Sequence, residues 1–165
     1  NEKAVEVEST YIKIKEFNKE LVEKTIQDFI ESGVQVIVAT KAFGVDDATE
    51  EEIVSDIARK KNLLTTSASE ITKLYGLATR TKTAALNASI LPTMLETANI
   101  TEISVKETGI DVPLMIMRGD GGVMEISEMR RRPILTMLSG PAASVRGALM
   151  YLRASNAVFV EGGGT

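Results

Sequence analysis

The chain has 165 residues, with 19 lysines and arginines against 23 aspartates and glutamates, and it contains neither histidine nor cysteine. This length supports one domain with a sizeable core, and the net charge of −4 argues against nucleic-acid or anionic-membrane partners. The missing residue types exclude a disulfide framework, a thiol nucleophile, a Cys/His zinc site and a histidine-based triad within these residues. Any chemistry must therefore use carboxylates, lysine, arginine, hydroxyl groups, backbone amides or a bound ion.

No apolar run reaches the roughly 18 residues that a membrane span needs, so the sequence predicts no membrane partner. The first residues have neither the basic nor the apolar stretch of a signal peptide. Because disulfides are rare in reducing compartments, the absence of cysteine also fits a cytoplasmic location. We therefore expect a cytoplasmic protein.

The first 66 residues alternate between strand-like and helix-like patterns, which predicts a βαβαβ segment with a partly parallel sheet. Local capping signals support both helices: an Asn N-cap and a Gly stop for the first, a Thr-Glu-Glu-Glu capping box for the second. The predicted strands are Val5–Glu8, Val34–Ala39 and Leu63–Thr66. The capping signals are Asn18 and Gly33 for the first helix and Thr49–Glu52 for the second.

The middle of the chain, from Thr79 to Thr108, has apolar residues at helical spacing and predicts one long helix, or two in line, with a kink or break near Pro92. Residues 113–165 then form a segment rich in motifs. Its predicted elements are a strand at Pro113–Met117, a glycine-rich turn at 118–122, a short helix at Glu125–Met129, a helix with Pro141 at its first position and a strand at Ala157–Val160.

The segment from Glu161 to Thr165 reads Glu-Gly-Gly-Gly-Thr and directly follows the predicted strand. Glycines let backbone amides approach a phosphate closely, a carboxylate can hold a hydrated Mg²⁺, and a hydroxyl can bind a phosphate oxygen. Taken alone, this pattern fits a phosphate loop and a flexible tail equally well.

Two further motifs each have a functional and a structural interpretation. The turn at 118–122 contains Asp120, Gly121 and Gly122 and could face a ligand, but Asp-Gly is also a strong hairpin signal, which we favour for the turn alone. The segment Ser139-Gly140-Pro141 starts a predicted helix and could bind an anion, although an ordinary helix start is the simpler interpretation.

Taken together and in this order, these motifs resemble the hydantoinase/oxoprolinase family, and most of all the ATP-dependent, A-type N-methylhydantoinase subunit. The resemblance rests on Pro113–Met124, then Arg131-Arg132-Pro133, then Leu138–Ala143 and finally Val158–Thr165. It extends more weakly to the long helix, where Thr83–Ala88 reads Thr-Ala-Ala-Leu-Asn-Ala.

The resemblance implies an α/β fold: one lobe of a sugar-kinase or actin-like ATPase, with βα units, a mixed sheet and a long central helix. It implies ATP and Mg²⁺ as cofactors of the complete protein, bound by Glu161, Gly162, Gly163, Gly164 and Thr165, with Glu161 contacting Mg²⁺ through water. Characterised members use ATP to open a cyclic amide such as a hydantoin or 5-oxoproline. The resemblance also allows a second, B-type subunit as a partner, and it assigns no catalytic residue.

Two motifs depart from the family pattern. The phosphate loop usually begins Asp-Met, where this chain has Glu161 and Gly162, and the turn usually reads Ser-Asn-Gly-Gly, where it has Gly119-Asp120-Gly121-Gly122. The resemblance also places the start of the sequence after the family's first phosphate loop and its end inside the second, so the 165 residues are expected to form a single α/β domain from a larger chain, inactive by itself. The alternatives are a non-catalytic regulatory or scaffold member of the fold, a ketone-carboxylase-type subunit, and a free-standing ligand-binding domain.

Overall fold

The computed structural model describes residues 7–153 and 156–162. The chain divides into two compact units, which meet in sequence between Pro92 and Thr93. The prediction of a single domain from a larger chain stays a prediction. Among the described residues, no helix is both long and apolar enough to cross a membrane.

The first unit contains a parallel βαβ arrangement. Helix α1 (Lys19–Glu31) precedes strand β1 (Val36–Ala39), helix α2 (Thr49–Lys60), strand β2 (Leu64–Ser67) and the short helix α3 (Ala68–Ile71). Strands β1 and β2 pair in parallel, so the predicted parallel βαβ unit is confirmed. The predicted strand at Val5–Glu8 lies partly outside the described residues, and Val7 and Glu8 are not in a strand.

Apolar residues of α1, β1 and α2 form the core of this unit. The fully buried members are Val22, Ile26, Ile37, Ile57 and Ala58. Asn18 caps α1 as predicted, since its side chain accepts the amide N–H of Leu21 at 2.9 Å. The predicted capping box at α2 is wrong, because the Thr49 hydroxyl donates to Asp47 instead of accepting from the helix.

A buried ion pair links the segments that follow β1 and β2. Glu51 Oε1 in α2 accepts a hydrogen bond from Arg80 Nη2 at 3.0 Å, and each side chain is 1% exposed. The two Glu51 oxygens also accept the backbone amides of Lys41 and Ser69, both at 2.8 Å. A Cβ atom on Gly44 would overlap Glu51 Oε1 and Arg80 Nη2, so a side chain at this position would displace the buried pair.

Helix α4 (Leu77–Glu107) runs without interruption through Pro92, which confirms the long helix and excludes a break there. Gly109 follows the helix end with a φ of +78°, as expected for a glycine stop. The first half of α4 contributes Asn87, which is buried and donates to Thr66 at 3.2 Å within the first unit.

The second unit contains an antiparallel hairpin and two helices. Strand β3 (Met115–Met117) pairs with β4 (Val123–Glu125), followed by α5 (Ile126–Arg131) and α6 (Ser139–Leu152). The core of this unit is formed by Ala98, Met124, Ile126 and Met129. The described chain is therefore mixed α/β, with one parallel and one antiparallel strand pair in separate two-stranded sheets.

The predicted strand at Ala157–Val160 is wrong, because these residues lie in no strand. Val158 and Val160 are 91% and 85% exposed, so the apolar sequence does not become buried here. A strand requires ladder hydrogen bonds to a neighbouring strand, and no described segment supplies them.

Removing one partner of the buried ion pair should destabilise the first unit. We expect Arg80→Met or Glu51→Gln to lower the free energy of unfolding by about 3–5 kcal/mol, because each leaves a buried charge without its counter-charge. Urea unfolding checks this. The matched control is Arg59→Met, which removes an exposed pair with Asp56 and should cost less than about 1 kcal/mol. A loss of less than about 1 kcal/mol in both buried variants would contradict this role.

Candidate functional site

The turn at 118–122 joins β3 to β4 as a tight hairpin. The amide of Arg118 donates to Gly122 O at 2.9 Å, and the amide of Gly121 donates to Arg118 O at 3.0 Å. Gly121 has a φ of +80°, a backbone conformation that favours glycine. The hairpin interpretation of this motif is therefore confirmed.

The carboxylate of Asp120 forms hydrogen bonds within the turn. It accepts the amide N–H of Gly122 at 2.9 Å and the guanidinium of Arg118. The Gly122 amide, and then the Arg118 guanidinium, hold the pKa of Asp120 below its ordinary value. Asp120 is therefore ionised at neutral pH and neutralised by Arg118.

The turn packs against the segment that leads into α6. The amide of Gly119 donates to Leu135 O at 2.8 Å, and a Cβ atom on Gly119 would lie 1.9 Å from Met137 O. No side chain fits at this position without moving backbone. The amides of Gly119, Gly121 and Gly122 thus all donate hydrogen bonds to oxygen atoms of the protein. These three amides are therefore not available to bind a phosphate.

Arg146 of α6 fixes the other side of the turn. Its Nε donates to Gly121 O at 3.0 Å. A Cβ atom on Gly121 would lie 3.2–3.4 Å from Cγ, Nε and Cδ of Arg146, so the arginine side chain lies along the glycine. No motif in the sequence indicated this role for Arg146, although it is the sole charged residue in the sequence of α6.

Helix α6 begins at Ser139, after Leu138 in a left-handed conformation with a φ of +60°. Pro141 is therefore the third helical residue, and the prediction that it would be the first is wrong. The position is still compatible with proline, because the carbonyl that the amide of a third helical residue would bond lies before the helix, so no helical hydrogen bond is lost. In the described part of the chain, the amides of Ser139 and Gly140 make no hydrogen bond.

The segment containing Glu161 also contacts α6. Glu161 Oε1 accepts the hydroxyl of Ser144 at 3.0 Å. Gly162 is exposed and has open space around its Cα, while Gly163, Gly164 and Thr165 lie outside the described residues. No motif in the sequence indicated a role for Ser144.

Glu161 and the 118–122 turn approach α6 from different sides. Their contacts on the helix, Ser144 and Arg146, are two residues apart, which corresponds to a rotation of about 200° around the helix axis. The structure thus attaches both predicted loops to one helix, but it does not place them in a single pocket.

The residues present fit a Mg²⁺ ion held mainly by phosphate oxygens and water. In the ranges that the structure describes, no three side chains form a metal-binding cluster. A single carboxylate is nevertheless what Mg²⁺ commonly takes from a protein when a nucleotide supplies the other ligands. Glu161, oriented by Ser144, offers such a carboxylate.

The motif-rich part of the chain matches a known family. A family model described as hydantoinase/oxoprolinase covers residues 80–165, which is more than half of the chain. The chain belongs to the hydantoinase/oxoprolinase family. The matched range includes the hairpin turn, helix α6 and Glu161. No curated protein sequence matches this chain.

Two solved structures share the fold. The ATP-dependent caprolactamase from Pseudomonas jessenii matches with a TM-score of 0.73 and 23% sequence identity, over 82% of this chain and 20% of the caprolactamase chain. A nucleotide-free acetone carboxylase, described for ATP-dependent acetone carboxylation, matches with a TM-score of 0.67 and 21% identity over the same shares. The present chain thus spans about a fifth of the length of each.

The pKa of Asp120 provides a test of the turn geometry. We expect its carboxyl group to titrate below the ordinary value of 3.8, and Arg118→Gln to raise the midpoint because it removes one stabilising donor. A ¹³C NMR titration of the carboxyl carbon measures both. Since the folded-state pKa is depressed, the stability that ionised Asp120 contributes is present above its unfolded pKa and is lost as the pH falls. A midpoint at or above 3.8 would contradict the geometry.

Proposed function

We propose that this chain is part of an ATP-dependent amidohydrolase that opens cyclic amides of the hydantoin or 5-oxoproline type. The observation that carries the proposal is the attachment of the hairpin turn and of Glu161 to one helix, within the range that the family model matches. The similarity to an ATP-dependent caprolactamase supports it, since a lactam is a cyclic amide. ATP use, Mg²⁺ and a cytoplasmic location belong to this proposal.

The chemistry requires positioning and charge stabilisation more than a nucleophilic side chain. Transfer of the γ-phosphoryl group to the amide oxygen makes the ring carbon electrophilic, so that water attacks it and the C–N bond breaks. The products are the ring-opened acid, ADP and inorganic phosphate. Enzymes of phosphoryl transfer work mainly by orienting phosphates and stabilising their charge, which explains how a segment without histidine or cysteine can contribute.

The residues of this chain would bind and orient phosphate oxygens. Glu161 would hold Mg²⁺ through water, and its hydrogen bond from Ser144 fixes the carboxylate on α6. When bound, Mg²⁺ neutralises charge on the phosphates. Gly162 to Thr165 would supply amides and a hydroxyl to the same phosphates. A small cyclic amide and a second, B-type subunit remain the proposed partners.

A second candidate is a subunit of a ketone carboxylase. The similarity to an acetone carboxylase favours it, because that protein also uses ATP. A non-catalytic member of the family is the third candidate, since Asp120 and Glu161 depart from the family pattern at both loops. The substrate that stimulates ATP hydrolysis separates these candidates.

The decisive assay is ATP hydrolysis by the longest natural chain that contains these residues, with hydantoin, 5-oxoproline, caprolactam or acetone added in turn. We expect stimulation by a cyclic amide. Stimulation by acetone alone would favour the carboxylase, and no stimulation by any of the four would favour the non-catalytic candidate.

Glu161→Gln should lower this turnover by about 10- to 100-fold, the usual cost of losing a group that acts on a metal through an intermediate ligand. The loss should be partly relieved by higher Mg²⁺ concentrations, because the variant weakens metal binding. The matched control is Glu107→Gln, which changes an exposed carboxylate at the end of α4 and should leave turnover unchanged. Equal activity of wild type and Glu161→Gln would remove Glu161 from the site.

The 165 residues alone should lack tight ATP binding. The described structure holds Glu161 and the turn on different sides of α6, so other segments of a longer chain would have to complete a nucleotide site. Isothermal titration calorimetry of this chain with Mg²⁺-ATP checks the expectation. Stoichiometric binding at micromolar concentration would show that the site is already complete.

A further inference from the structure

Arg146 lies on the same face of α6 as the start of the helix. It follows Ser139 by seven residues, and the corresponding rotation around the helix axis is about 20° short of two full turns. Helical side chains lean toward the N-terminus, so the Arg146 side chain extends toward the turn at 118–122 and toward the first turn of α6. The hydrogen bond from Arg146 Nε to Gly121 O at 3.0 Å agrees with this direction.

The turn and the arginine fit each other closely. The aliphatic part of Arg146 lies 3.2–3.4 Å from the position of a Cβ atom on Gly121, so a side chain there would push the arginine aside by a few tenths of an ångström. The Nε bond then fixes the plane of the guanidinium. A group held in this way loses little conformational freedom when it binds a ligand, which is the benefit of preorganisation.

The charge of Arg146 is not balanced by the turn that it contacts. The one carboxylate of the turn, Asp120, is already paired with Arg118 and with the Gly122 amide. Within residues 7–153 and 156–162, no hydrogen bond or ion pair involves the two Nη groups of Arg146. Their four N–H donors form a planar fork, the arrangement that binds phosphate oxygens in pairs.

We propose that Arg146 is an anion-binding residue of this site, which holds the 118–122 turn through Nε and presents its Nη groups to a phosphate group. The identification of that phosphate as part of ATP rests on the proposed function. The binding of a phosphate-like anion does not, so the two claims can be tested separately.

The first test uses this chain and inorganic pyrophosphate as the probe. During a titration at constant ionic strength, the Nε–Hε NMR signal of Arg146 is followed where this arginine is present, and the amide signal of Gly121, which contacts it, is followed in wild type and in every variant. We expect a saturable shift with a dissociation constant in the millimolar range, which Arg146→Gln weakens by about 10- to 100-fold, the usual effect of removing a charged hydrogen-bond donor. Arg146→Lys should weaken it nearly as much, because an ammonium group lacks the fork.

Arg153→Gln is the matched control. Arg153 is an exposed arginine at the end of the same helix, and its removal changes the net charge by the same amount. It should leave pyrophosphate binding within about twofold of wild type. Equal weakening by Arg153→Gln would show non-specific attraction, and a linear or absent shift of the Arg146 signal would show no site; either result overturns the proposal.

The second test uses the longest natural chain and separates binding from a purely structural role. Arg146→Lys should raise the KM for ATP by about tenfold or more, with a smaller change in kcat and an unchanged melting temperature, if the arginine binds a phosphate. A lower melting temperature with unchanged KM would assign Arg146 a structural role only and overturn the proposal. If no substrate stimulates ATP hydrolysis, the proposed function fails, and the pyrophosphate titration still decides the role of Arg146.

Discussion

The hydrogen bond from Arg146 to the carbonyl oxygen of Gly121 holds a hairpin turn against helix α6, and it is possible because the turn has no side chains where the two meet. Gly119 approaches the carbonyl of Met137 too closely for any Cβ atom, and Gly121 lies beneath the Arg146 side chain. Helix α6 also holds Glu161 through Ser144. One helix therefore holds two loops that are about 40 residues apart in sequence, the turn at 118–122 and the segment at Glu161.

The elements with local signals were predictable from the sequence. Asn18 and Gly33 mark the ends of α1 because a cap and a left-handed stop depend on neighbouring residues alone. The hairpin at 118–122 follows from its Asp-Gly pair, and the long helix from the spacing of its apolar residues. The family resemblance, which uses four motifs in order, identified residues 113–165 correctly.

The features that depend on distant partners were not predictable. Glu51 looks like one of three acidic residues at a helix start, and only the fold brings it to Arg80, 29 residues away. Arg146 acts on a turn 25 residues earlier, and no pattern within α6 indicates this. The predicted strand at 157–160 failed for the same reason, because an apolar run becomes a strand only beside a neighbour that pairs with it.

The central claim is that α6 supports phosphate binding by holding two separate groups, Arg146 at the hairpin turn and Glu161 on another side of the helix. The most direct measurement is a crystal structure of the longest natural chain containing these residues, with Mg²⁺ and a non-hydrolysable ATP analogue. We expect one phosphate group within hydrogen-bonding distance of the Arg146 Nη groups and Glu161 oriented toward the Mg²⁺ waters at another part of the nucleotide, because the two side chains lie on different sides of α6. A nucleotide bound elsewhere, with both Arg146 and Glu161 away from its phosphates, would contradict it.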